Sequence, residues 1–142
     1  MRPLVLFLTL LVAPSVSALD AKILIIAHLP ETLILPALPK EKIKNIYLLK
    51  QRAWSDEAPI IVVNRPSDSR LRQQFEHKLG LNSKKYAWYL KKMYYKGIPL
   101  PIIQNSKKAV LSFVEQVPGA IAYIEGSLPD EYPHITVLGQ LQ

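Results

Sequence analysis

Hydrophobic positions along this chain fall into two kinds of segment: short unbroken runs, and longer stretches with helical spacing. Ile23, Leu24, Ile25, Ile26 and Ala27 form an unbroken run, as expected for a strand covered on both faces. Residues 28–39 carry Pro30, Pro36 and Pro39 and read as a loop, with Pro39 suited to the first turn of a helix. In that helix Ile43, Ile46 and Tyr47 share one face while Lys40, Lys42 and Lys44 point elsewhere. Residues 54–59 read as a connecting turn, and Ile60, Ile61, Val62 and Val63 as a short buried strand. A polar turn at residues 64–69 offers helix N-cap residues, Leu71, Phe75 and Leu79 then repeat every four residues, and Gly80 stops that helix. The order strand, helix, strand, helix predicts an α/β layer with some parallel pairing.

The second half continues the alternation. Asn82 and Ser83 are caps for a helix over residues 84–96 that ends at Gly97, with Tyr86, Tyr89, Leu90, Met93 and Tyr94 as its apolar stripe. Pro99 and Pro101 enforce an extended stretch. Asn105 or Ser106 starts a helix with Ala109, Val110, Phe113, Val114 and Val117 facing inward, and Pro118 and Gly119 stop it. Residues 120–124 form a further buried strand and residues 135–138 a last one. No internal repeat, low-complexity tract or interdomain linker is visible, so the pattern predicts a single domain.

Composition adds a compartment. The chain has 142 residues, 49% of them hydrophobic, and a formal charge of +7, which suits one globular domain with one core. Residues 1–18 have the form of a secretory leader: Arg2 is the positive start, residues 4–12 the apolar run, and Val16, Ser17 and Ala18 the small residues before a cleavage point. That run is well short of the roughly 20 residues a spanning helix needs, and Pro14 lies just beyond it and interrupts any continuation. Cleavage leaves a domain over residues 19–142, and since Arg2 is the only charge lost, 17 of the 18 basic residues remain against 11 acidic ones. No later segment is apolar enough to cross a membrane, so the exported domain is expected to be soluble. The absence of cysteine excludes a disulfide-stapled scaffold, thiol chemistry and lipid attachment through a thiol.

Few constellations carry chemistry. A strand feeding a helix through a Ser-rich, Arg-flanked loop is a place where an anion docks on free backbone N–H groups. His28, His77 and His134 are scattered, without ligand spacing, so no metal or cofactor is expected. Ser67 and Ser69 with His77 do not make a nucleophile pair, because His77 is more than two turns from Ser69 along one helix; capping is the expected role of these serines. Asp56 with Glu57 and Asp130 with Glu131 lie in turns and read as loop solvation. In the helix over residues 84–96, Lys84, Lys85, Lys91, Lys92 and Lys96 flank the apolar stripe, with Trp88 and Tyr95 on the lysine side. Such a face reads as a solvated surface, as a dock for a partner or an anionic membrane, or as a nucleic-acid surface; export argues against the last.

The order of elements and several strings resemble one lobe of the periplasmic phosphate-binding proteins of ABC transporters, the type 2 periplasmic-binding-protein family. The stretch Val117-Pro118-Gly119-Ala120-Ile121-Ala122-Tyr123-Ile124 is similar to the family's T-P-G-A-I-G-Y-V turn from helix to strand. Residues 38–50 followed by Trp54-Ser55-Asp56-Glu57-Ala58-Pro59-Ile60 resemble I-F-x-G-K-x-x-x-W-x-D-G-x-P-I, and residues 88–97 fall where the family has an aromatic-rich helix. The resemblance covers residues 23–124. It implies a single lobe with a mixed central sheet flanked by helices, periplasmic location, and a non-catalytic, phosphate- or oxyanion-binding role without cofactor.

The resemblance also implies where the anion sits and how this chain departs from the family. Arg65, Ser69 and Phe75 fall on the pattern R-x-D-G-S-G-T and the Phe beyond it, while Ser67 stands at the Asp, Asp68 and Arg70 at the two glycines, and Leu71 at the Thr. Side chains at the glycine positions obstruct close backbone approach, and Asp68 adds negative charge at the helix end that would attract an anion. Arg65 and Arg70 supply compensating positive charge, Ser67 and Ser69 hydroxyls, and residues 68–70 their amides. A single lobe leaves the anion open to water, so a periplasmic protein is expected to supply a second wall. The alternative is an interaction module that kept the fold and lost the ligand, using Lys84, Trp88, Lys91, Lys92 and Tyr95 as its partner surface.

Overall fold

The computed structural model describes residues 22–142. The leader expected over residues 1–18 lies outside them. Eleven elements follow in order: β1 Ile23–Ala27, α1 Lys40–Tyr47, β2 Ala53–Ser55, β3 Ala58–Pro59, β4 Ile61–Asn64, α2 Arg70–Lys78, α3 Ser83–Tyr95, β5 Ile102–Ile103, α4 Lys107–Gln116, β6 Ala120–Glu125 and β7 Thr136–Leu141.

Five strands form a mixed sheet in the order β5-β4-β6-β1-β7. β4 runs parallel to β5 and β6, and β1 runs antiparallel to β6 and β7. All five β1 residues are buried because both faces of the sheet are covered. Ile23, Ile25 and Ala27 face a layer containing Ile43, Ile46, Tyr47, Phe75, Leu79 and Met93, from α1 to α3. Leu24 and Ile26 face Val110, Leu111 and Val114 of α4. The two-residue alternation of the strand thus feeds two cores, and the three-layer arrangement is the mixed sheet with flanking helices that the resemblance implied.

Gly119 holds the turn before β6. Its φ is +90°, and a Cβ there would stand 2.4 Å from the Pro59 carbonyl oxygen, so only glycine fits. Its carbonyl accepts from Ile61 N at 3.0 Å and from Trp54 Nε1 at 2.9 Å, which ties β4 to the turn.

Several expectations change. Residues 54–59 are not a plain turn: Ala53 pairs with Pro59 in a small antiparallel hairpin, too short to show alternation in sequence. β7 runs past 138 to Leu141, because pairing of Gly139 and Leu141 with β1 extends a strand whose apolar pattern breaks at Gly139 and Gln140. Pro39 is the N-cap of α1 rather than a first-turn residue. Tyr94 leaves the apolar stripe of α3 and is exposed, while Leu111, absent from the predicted inward face of α4, is buried. Leu49 has φ +60° at the end of α1, where Lys50 N donates to Asn45 O and Leu49 N to Ile46 O, the helix-ending motif that usually takes glycine. In the string I-F-x-G-K that residues 46–50 resemble, that place is the glycine.

Candidate functional site

Four strand ends meet at one end of the sheet. Register pairs Ile23 with both Glu125 and Leu141, and β4 runs parallel to β6, so the last residues of β4 and β6 lie beside the start of β1 and the end of β7. The loop over residues 65–70 leaves β4 there and enters α2. Ser67, Asp68 and Arg70 are exposed; Arg65 and Ser69 are half-buried.

Each predicted side chain has a defined place. The Ser69 hydroxyl caps α2 by accepting from Arg72 N at 3.3 Å, and the Ser69 amide donates to Pro66 O at 2.9 Å. Of the amides of residues 68–70 expected to face an anion, that of Ser69 is therefore already engaged in the turn. Arg70 and Leu71 open α2, so their amides have no acceptor within the helix. Arg65 turns away from the loop. Its Nη2 donates to Asn105 O at 3.3 Å, and its Nη1 lies 4.0 Å from Glu125 Oε2. Arg65 Nε and Nη1, Glu125 Oε2 and Asn64 Nδ2 are all buried without a hydrogen-bond partner.

Sequence reasoning missed the residues that support this loop. Asn64 is buried, and its Oδ1 accepts from Arg65 N at 2.9 Å and from the Tyr123 hydroxyl. Burial holds the Tyr123 phenol well above its ordinary value, partly offset by its contact with the Arg65 amide and by Arg72. The Tyr123 ring stacks on Phe75 of α2 at 3.7 Å, and Phe75 meets Tyr47 edge-on at 4.7 Å. Behind the loop, Arg72 donates Nε to Glu76 Oε1 at 2.7 Å and Nη1 to Arg65 O at 2.9 Å, while Ser83 donates to the second Glu76 oxygen. The i,i+4 spacing of Arg72 and Glu76 is visible in the sequence, but their burial is not.

The residues read from sequence as a candidate partner surface belong to one helix. Lys84, Trp88, Lys91, Lys92 and Tyr95 all lie exposed on α3, and Lys91 Nζ sits 5.3 Å from the centre of the Trp88 ring. The three histidines, scattered in sequence, are not all scattered in space. His28 and His134 stack with ring centroids 5.2 Å apart, His28 Nδ1 lies 2.9 Å from Val114 O, and His134 is held by Glu115. They come from loops far apart along the chain, which only the fold juxtaposes. Among the described residues no group of three or more His, Cys, Asp and Glu is placed to hold a metal ion, and no helix is long and apolar enough to cross a membrane. A cavity of about 600 Å³ beside the hairpin is lined by Leu49, Ile60, Val62, Leu100 and neighbours; none of residues 65–70 lines it.

Comparison with protein-family models finds no match, nor does comparison with curated protein sequences. Solved structures do match. An ABC-type phosphate transport receptor from Vibrio cholerae superimposes with a TM-score of 0.61 at 18% identity, over 83% of this chain and 47% of that one. A putative phosphate ABC transporter substrate-binding protein with bound phosphate from Clostridium perfringens gives 0.63 at 24%, over 83% and 45%. PstS from Borrelia burgdorferi gives 0.57 at 19%, over 74% and 41%. The chain spans less than half the length of each. Over the part they share, its fold is that of phosphate ABC transporter substrate-binding proteins.

Proposed function

We propose that this chain is an exported, non-catalytic receptor lobe that holds phosphate or a related oxyanion at residues 65–70, in the periplasm, with a second protein supplying the opposite wall. The observation that carries the reading is the state of Arg65. Its Nε and Nη1 are buried donors without acceptors, on a residue five positions before the start of α2. Unsatisfied buried donors are costly, so an oxyanion that accepts from them gains more than it would from a solvated arginine. Redirecting the guanidinium costs one 3.3 Å hydrogen bond and a 4.0 Å charge contact. The Arg70 and Leu71 amides and the α2 dipole add to the attraction. The structural neighbours are phosphate transport receptors, one of them holding phosphate.

Isothermal titration of the chain from Leu19 onward with phosphate, at low and moderate salt, tests this. Binding in the micromolar range, abolished by Arg65→Ala, is expected. A second reading, that the fold was kept and the ligand lost, is favoured by the filled positions at Asp68 and Arg70 and by the engaged Ser69 amide. A folded sample that releases no heat with phosphate decides for it.

A further inference from the structure

The outer face of α3 combines lysines with large exposed rings. Lys84, Trp88, Lys91 and Tyr95 succeed one another at helical spacing on the side opposite buried Tyr86 and Met93. Trp88 is 72% and Tyr95 75% exposed, with Tyr94 beside Tyr95 edge-on at 5.9 Å. The sequence has no acidic residue from His77 to Val114, and the nearest carboxylate before it, Glu76, is buried and paired with Arg72. Lysines and large rings thus share one face of α3, a helix that carries no carboxylate of its own.

We infer that this face docks on an anionic phospholipid surface. Lysine ammonium groups complement anionic headgroups, and Trp and Tyr rings, apolar with one polar tip, settle at headgroup depth. A rigid protein partner needs a groove to receive exposed rings, whereas lipid yields around them, so exposed rings flanked by lysines suit a bilayer better. Lysine stems add apolar contact while their heads stay at the phosphates. The inference is independent of whether the loop over residues 65–70 holds an oxyanion.

The test uses the protein recovered from the export compartment of cells expressing the full chain. It is sedimented with vesicles of phosphatidylcholine, alone and doped with phosphatidylglycerol, at low and high salt. Wild type is expected to bind the doped vesicles, to release them as salt rises, and to ignore phosphatidylcholine, with a blue shift of tryptophan fluorescence that Trp88→Ala removes. Lys91→Glu with Lys92→Glu is expected to weaken binding at least about tenfold, and Trp88→Ala with Tyr95→Ala to weaken it further at high salt. All four positions are exposed, and unchanged circular dichroism confirms folding; should the charge reversal unfold the chain, Lys91→Gln alone replaces it. Equal binding by the variants, or equal binding to both vesicle types, overturns the inference. So does retention on polyglutamate without vesicle binding, which assigns the face to an acidic protein instead.

Discussion

Two arginine–carboxylate pairs have their arginines within two turns of each other in sequence and behave as opposites. Arg72 and Glu76 meet at 2.7 Å with side chains 8% and 4% exposed, and the pair is further bonded to Arg65 O and to Ser83. Arg65 and Glu125 approach only to 4.0 Å, at 13% and 42% exposure, leaving Arg65 Nε and Nη1 and Glu125 Oε2 without partners. A buried pair with its charged groups hydrogen-bonded is a lock that joins α2, α3 and the loop. A half-buried arginine with unpartnered donors is, under the proposed function, the group that takes the oxyanion. The difference teaches where to look for binding in this fold: not at the best ion pair but at the incomplete one.

The largest expected effect bears on both pairs at once, because a buried tyrosine sits against each. Tyr86 lies under Arg72, at 5.9 Å, and donates to Tyr47 O; Tyr123 donates to Asn64 beneath Arg65. Burial raises the phenols of Tyr47, Tyr86 and Tyr123 above their ordinary value. A raised folded-state pKa means the neutral form is favoured by folding. The stability these groups contribute is whole below about pH 10 and falls above it, by about 1.4 kcal/mol per pH unit for each tyrosine. Alkaline unfolding should therefore be steep, with tyrosinate absorbance from Tyr47, Tyr86 and Tyr123 appearing together with loss of circular dichroism. Ionisation of all seven tyrosines near pH 10 in a folded chain would show that the two pairs do not rest on a dry aromatic layer.

Next in size is Glu76→Ala, which strands the Arg72 guanidinium. A loss of about 3–5 kcal/mol is expected in urea unfolding. A loss below about 1 kcal/mol would erase the contrast between lock and open pair. Smallest is the double-mutant cycle of Arg65→Ala and Glu125→Gln, where coupling under about 1 kcal/mol in stability is expected. The sharper readout there is phosphate titration. Under the proposed function, Glu125→Gln removes a competing carboxylate and tightens oxyanion binding a few-fold, while leaving stability nearly unchanged.

The hydrophobic pattern by itself determined most of the architecture. Unbroken runs at residues 23–27 and 120–124 became central strands because burial on both sheet faces removes any need for polar positions. Leu71, Phe75 and Leu79 became one inward face of α2 and its C-cap, ended by Gly80 with φ +73°. The basic and aromatic face of α3 was also legible, since spacing within one helix fixes which residues share a side. What the chain could not show is anything that depends on two distant segments. The hairpin at Ala53 and Pro59, the stacking of His28 on His134, and the placing of Glu125 against Arg65 all join residues whose approach is set by the tertiary fold. Serine and arginine in the loop marked a candidate anion site from sequence, yet the orientation of Arg65 and the use of the Ser69 amide were decided by Asn105, Glu125 and Pro66. Local pattern determines elements because it acts through backbone geometry within a few residues. The availability of a donor depends on which acceptor the tertiary structure brings to it.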